Sequence, residues 1–278
     1  MNGLTIRCLQ PSPQRINLFG VVPNRLANLT WSQIQQLPIE SDELTRPLSD
    51  WFEVIEGDRT SIRFVGDFSN CDHLGGGLEN GTVQVDGDAG DFVADRMTGG
   101  KLTVSGTVGR YACSRLRGGI VSVGDCGNYA ASANPGAALG MNGGILVVRG
   151  NCGPWLATRM RRGTVIVHGD VAAGCASRMI AGTLILCGLV AEPLAANMNR
   201  GTILLLGPTA DCSAPAGFTD PEHSELSYLQ LLMNAAAPFL PSQNLSEGFP
   251  RTVWRSMGDR VNGGLGEIIW GTAKQPEI

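Results

Sequence analysis

Short runs of alternating apolar and polar residues recur along the chain at a fixed spacing. "GTVQVDGDAGDFVADRMTG" fills residues 81–99 and "GKLTVSGTVGRYACSRLRG" residues 100–118, each with glycine at its first, seventh, tenth and last place. The unit returns at Gly119, Gly144, Gly163 and Gly182, is truncated at Gly201, and has a looser first copy from Thr60. Successive starts lie 21, 19, 19, 25, 19, 19 and 19 residues apart, a regularity that marks a repeat architecture.

Each unit opens on a pair such as Val83 and Val85, Leu102 and Val104, or Val165 and Val167, the period of a strand with one buried side. A 19-residue unit is too short for a strand, a helix and two turns, but it suits one coil of a β-solenoid whose coils stack at about 4.8 Å. The fold predicted is therefore all-β, a right-handed parallel β-helix of about seven coils, the hand following from the strong bias of parallel crossovers. Stacking predicts columns. Val93, Ala112, Leu156, Cys175 and Leu194 share one inward position, Ala94, Cys113, Ala157, Ala176 and Ala195 a small-residue position, and Met97, Leu116, Met141, Met160, Met179 and Met198 a third. With one deletion and a seven-residue insertion in the unit from Gly119, Ala89, Val108, Cys126, Cys152, Val171 and Val190 also align. Gly87, Gly106, Gly150 and Gly169 fall where the first strand must corner; no helix or lysine follows as a phosphate loop would require.

The pattern divides the chain into an N-terminal capping segment (1–58), the repeat domain (59–207) and a C-terminal capping segment with one helix (208–278). The first segment predicts a strand over Leu4–Leu9 and a short helix capped by the Thr30-x-x-Gln33 box. The last predicts a helix over Pro221–Ala237 with Leu226, Leu229, Leu232 and Met233 on one side. Both segments are expected to hide the open strand edges at the ends of the solenoid. The insertion "AASANPGAA", Ala130–Ala138, has no strand pattern and is expected to be protease-sensitive.

A net charge of -4 argues against a general nucleic-acid binder, and no run of eighteen apolar residues suggests a membrane span. The polar, proline-bearing start of the chain lacks the apolar core of a signal peptide, which places it in the cytoplasm with its eight cysteines reduced. Cysteines with no C-x-x-C pair, four of them in apolar columns, are core filler, and no metal site is expected. His73, His168 and His223 have no ligand neighbours at metal spacing, and His168 falls in the outward column of Asp86, Ser105, Arg149 and Cys187, where it should be solvated. Without a nucleophile elbow or a carboxylate pair, no catalytic site is assigned to this chain.

One charged feature repeats. Arg96, Arg115, Arg159 and Arg178 occupy the same place in their units, with Gly140 and Asn197 interrupting the series and Arg117, Arg161 and Arg162 close by. Two guanidinium groups about 5 Å apart repel by roughly 1 to 3 kcal/mol at surface dielectrics, so the ridge needs compensation. It can come from within, through coil-corner carbonyls or acids such as Asp95, or from an anionic ligand or partner.

The motif G-T-φ-x-V-x-G-x-x-G…A-x-R-M-x-x-G across residues 60–207, with the ending "MGDRVNGGLGEIIW" at Met257–Trp270, resembles the C-subunit family of formylmethanofuran dehydrogenase. The same solenoid domain occurs at the C-terminus of the glutamate synthase large subunit. The resemblance covers nearly the whole sequence and implies a non-catalytic scaffold, with methanofuran-type carrier and metals held by partner subunits. Two complexes use such a component: the bacterial formyltransferase/hydrolase complex of tetrahydromethanopterin- and methanofuran-linked formaldehyde oxidation, with hydrolase, formyltransferase and dehydrogenase-like partners, and the archaeal dehydrogenase of methanogenesis. Only Lys101 and Lys274 among the 21 basic residues are lysine, a bias of GC-rich bacterial genomes that favours the first. A stand-alone carbohydrate-active β-helix is a third reading, but its carboxylate cluster is missing from the aligned outward columns.

Overall fold

The computed structural model describes residues 3–207, 213–242 and 252–271. The fold is mostly strand. Its largest element is a 13-stranded sheet in which the opening strands of the repeats lie side by side in sequence order. These are β6 (Asp58–Val65), β8 (Thr82–Asp86), β9 (Lys101–Val104), β10 (Ile120–Val123), β11 (Asn142–Val148), β12 (Arg162–Val167), β13 (Thr183–Leu186) and β14 (Arg200–Leu205). All neighbours among them pair in parallel.

The register keeps equivalent residues opposite one another. Ile62 faces Val83, Val83 faces Leu102, and the series continues through Val121, Leu146, Val165 and Leu184 to Ile203. Every member of that column is within 1% of full burial. A second line of parallel bridges joins Phe68, Ala89, Val108, Cys126, Cys152, Val171 and Val190, so the column that required a deletion and an insertion is present. The three other inward columns are buried throughout. Glycine at the strand ends answers a close approach, since a Cβ at Gly87 would stand 2.2 Å from the carbonyl oxygen of Gly66 in the preceding unit.

Both flanking segments prolong the sheet. At one end β1 (Gly3–Arg7) pairs in parallel with β6 and carries β5 (Glu53–Ile55) antiparallel on its other side. Between them, β2 (Ile16–Asn17) joins β7 (Cys71–Asp72) in parallel, and the antiparallel pair β3 (Pro38–Ser41) and β4 (Thr45–Pro47) extends from β2. The segment also holds three short helices, α1 (Pro23–Leu26), α2 (Trp31–Gln35) with the Thr30/Gln33 capping box, and α3 (Leu48–Trp51). At the other end β17 (Leu265–Trp270) adds in parallel to β14, followed antiparallel by β16 (Thr252–Gly258) and β15 (Glu222–Glu225).

The helix expected over Pro221–Ala237 is shorter. Its first part is strand β15, paired to β16, and the helix α4 runs Tyr228–Ala236. The acids read as a helix start instead take up ladder hydrogen bonds at a sheet edge. The apolar stripe survives: Leu229 and Met233 are buried, with Leu226 and Leu232 packed beside them. Rather than closing an end, α4 lies on the outer sheet face over Ile166, Ile185, Leu204 and Ile269. That cover corrects the reading of His168, which is half-buried with Nε2 2.7 Å from the Phe239 carbonyl oxygen.

The insertion is also shorter than expected. Ala130, Ala131 and Ser132 are buried members of the stack, while Pro135, Gly136 and Ala138 are exposed. Limited proteolysis should therefore cut first within Pro135–Ala138, read from fragment masses; a first cut between Tyr129 and Ser132 would contradict this packing. Met160, fully buried in the methionine column, should lose about 2–5 kcal/mol of unfolding free energy as Met160→Ala, measured by urea titration.

Candidate functional site

Between its two bridge lines each unit turns through a segment with unusual backbone. Residues 92, 94 and 96 all have positive φ (60°, 59° and 54°), and the same pattern recurs at Trp155, Ala157 and Arg159. Hydrogen bonds from Asp95 N to Phe92 O and from Met97 N to Ala94 O close two successive turns of the kind that need positive φ at the third residue. Each such non-glycine residue costs about 1–2 kcal/mol, so something must offset it. Part comes from cross-unit bonds: Phe92 N donates to Arg110 O, Ala94 N to Leu74 O. The column of alanines and Cys113 is small for this reason, because the middle left-handed residue points into the core.

The outer left-handed residues form two ladders on one flank. The first is aromatic: His73, Phe92, Tyr111, Tyr129 and Trp155 stack with centroids 4.9, 5.3, 5.0 and 6.4 Å apart and planes within 10° of parallel. Offset ring pairs contribute about 0.5–1.5 kcal/mol each beyond their buried area, which offsets a further part of the backbone strain. Phe19 from the N-terminal segment joins edge-on to His73 at 6.0 Å. Sequence reading missed this ladder; its signal was an aromatic at the twelfth place of the units from Gly81, Gly100 and Gly144, with Tyr129 at the eleventh and His73 at the fourteenth place of theirs.

The second ladder is the arginine series, and the structure divides it. Arg115 forks onto the buried Asp95 carboxylate, Nε to Oδ1 at 2.7 Å and Nη2 to Oδ2 at 2.6 Å. Arg159 donates to the Ala137 carbonyl of the insertion at 3.4 Å. Arg96 lies over the Phe19 ring, 5.8 Å from its centroid. Arg117, Arg161, Arg162 and Arg178 are exposed and make no ion pair among the described residues. Internal compensation thus accounts for Arg115 and Arg159, Arg96 packs on Phe19, and Arg117, Arg161, Arg162 and Arg178 point to solvent.

A column of acids binds the N-terminal segment to the first units. Asp72 accepts from Arg15 and from the Asp91 amide, and Asp91 accepts from the Arg110 amide and guanidinium. Next to it, burial pushes the Asp95 carboxyl upward, but His73 and Arg115 outweigh that and hold it below the usual 3.8. Arg115 is the stronger contact, since His73 Nδ1 stands 3.5 Å from Oδ2, long for a hydrogen bond.

Among the described residues no group of three or more histidine, cysteine or acidic side chains is placed to hold a metal ion. Six described cysteines are buried and Cys8 is half-buried; Cys212 lies outside the described residues. Burial pushes the thiols of Cys71, Cys113 and Cys175 far up, and that of Cys187 to about 11. No helix among the described residues is long and apolar enough to cross a membrane.

No protein-family model matches the chain. An 86-residue stretch is 32% identical to the C subunit of the formyltransferase/hydrolase complex Fhc of Methylorubrum extorquens, covering 31% of this chain and about a third (32%) of that relative. A chain in the crystal structure of the formyltransferase/hydrolase complex (FhcABCD) from the same organism, in complex with methylofuran, superimposes with a TM-score of 0.86 at 30% identity, covering 97% of this chain and 100% of that one.

Because the Asp95 carboxyl is more acidic folded than unfolded, the stability it adds is complete above its ordinary value and is lost as pH falls through the folded one. Arg115→Gln should cost about 1–3 kcal/mol near neutral pH, and the gap to the parent should narrow below about pH 4. Urea midpoints at the two pH values test it.

Proposed function

Because the chain belongs to the C-subunit family of the formyltransferase/hydrolase complex, we propose that it is the non-catalytic scaffold of such a complex, in tetrahydromethanopterin- and methanofuran-linked one-carbon metabolism. The observation that carries this reading is the end-to-end likeness to a chain of the solved complex. In this reading the hydrolase, formyltransferase and dehydrogenase-like subunits are its partners, they hold the carrier and any metals, and the assembly works in the cytoplasm. The stack is a right-handed parallel β-helix with capping segments at 1–58 and 208–278, a reading supported by the two in-register parallel lines and the 19-residue spacing.

The outward arginines are the docking groups in this proposal. Arg117, Arg161, Arg162 and Arg178 lack internal partners among the described residues, so an acidic surface on a neighbouring subunit would gain from them without disturbing the fold. Arg115 and Arg159 serve the coil corners, and Arg96 packs on Phe19. Replacing Arg117, Arg162 and Arg178 together by glutamine should leave the melting temperature of the chain unchanged. It should weaken co-purification of the other subunits, by up to about tenfold, with a flatter salt dependence. Parent-like assembly of the variant at low salt, where these charges are least screened, would remove the docking role.

A further inference from the structure

The N-terminal segment lines a half-open cavity of about 590 Å³, within the size range of small-molecule sites. Its lining is apolar along Leu26, Leu29, Leu37 and Ile39, and it is headed by Phe19 and Arg25. Two guanidinium groups converge on the Phe19 ring: Arg25 Cζ is 5.3 Å from the centroid and Arg96 Cζ 5.8 Å. Neither forms an ion pair with a described residue, and both are exposed.

These groups are held in place. A Cβ at Gly76 would meet the Phe19 ring at 2.6 Å, so the ring is seated directly on the backbone of the first unit, with its edge against His73. Arg25 Nη1 lies over Gly20, where a Cβ would come within 2.4 Å. The cation–π contacts fix the two forks while leaving their in-plane donors free. A partly apolar cavity with Arg25 in its lining, and with Arg96 against the same Phe19 ring, fits a ligand of matching shape: a carboxylate on a small apolar or aromatic group.

We propose that this cavity is a binding site for small aryl or alkyl carboxylates, with Arg25 and Arg96 gripping the carboxylate and the leucines covering the apolar part. Glu40 also lines the cavity, and its charge opposes rather than aids the ligand's carboxylate. The site is independent of the outward arginine ridge, since it takes only Arg96 from that series.

The test is titration of the full chain with phenylacetate and, separately, with its uncharged counterpart phenylacetamide, followed by NMR of the leucine methyls. Saturable shifts of the Leu26, Leu29 and Leu37 methyls by the acid are expected, with the amide at least about tenfold weaker. Arg25→Gln and Arg96→Gln should each weaken the acid by about tenfold or more while melting as the parent does, and Glu40→Gln should bind it equally or more tightly. Equal binding of acid and amide, parent-like affinity in both arginine variants, weaker binding in Glu40→Gln, or no saturable shift would each overturn the assignment. Phe19→Leu gives a second readout: it retains the cavity but frees both forks, and unchanged affinity there would count against the ring's role in holding them.

Discussion

The structure rests on one constraint, that each unit must hydrogen-bond its backbone to the next in parallel and in register. With strands about 4.8 Å apart, a side chain in one unit lies directly over its counterpart 19 residues away. Like therefore stacks on like, and each position of the repeat must be filled by something that tolerates its own neighbour. Apolar residues do so without penalty, which is why the column from Ile62 to Ile203 is buried throughout. Aromatic rings do so face to face, at spacings of 4.9 to 6.4 Å that match the strand spacing with a small offset.

Charges do not stack freely, and the chain handles each charged column differently. Asp72 and Asp91 sit in successive units, but Arg15 comes in from the N-terminal segment between them, and Arg110 follows where a third acid would fall. The arginine series is broken by Asp95 bonding to Arg115, by the insertion carbonyl bonding to Arg159, and by Gly140 and Asn197. Phe19 occupies the ground beside Arg96 that the glycines of the first unit leave open. Departures from the repeat thus mark places where strict repetition would have stacked like charges.

The outer sheet face changes character along the stack. Gln84, Thr103 and Ser122 give way to Val147, Ile166, Ile185 and Leu204, and α4 covers the apolar part. Glu267 fastens that cover: Oε1 accepts from Thr202 and Tyr228, both at 2.6 Å, and Oε2 from Arg255 at 2.8 Å. The outermost strands carry charge, with Glu53 paired to Arg7 at one end and exposed Glu222 and Glu225 at the other, which discourages further strand addition.

What the sequence determined by itself was the repeat, its strands and its inward columns, because period and polarity follow directly from in-register stacking. The Thr30 capping box was legible as well, since a cap is local chemistry over four residues. Where β15 replaced the start of a helix, only the tertiary structure could decide, because Glu222–Glu225 has no pattern of its own and takes its form from the ladder offered by β16. The same holds for His168, solvated by its column but covered by a helix some seventy residues later in the chain. The arginines show the division most clearly. Their alignment was visible in the sequence, yet which of them face inward depended on the path of the insertion, the position of Asp95 and the placement of Phe19, and those are set by contacts between segments that the repeat does not encode.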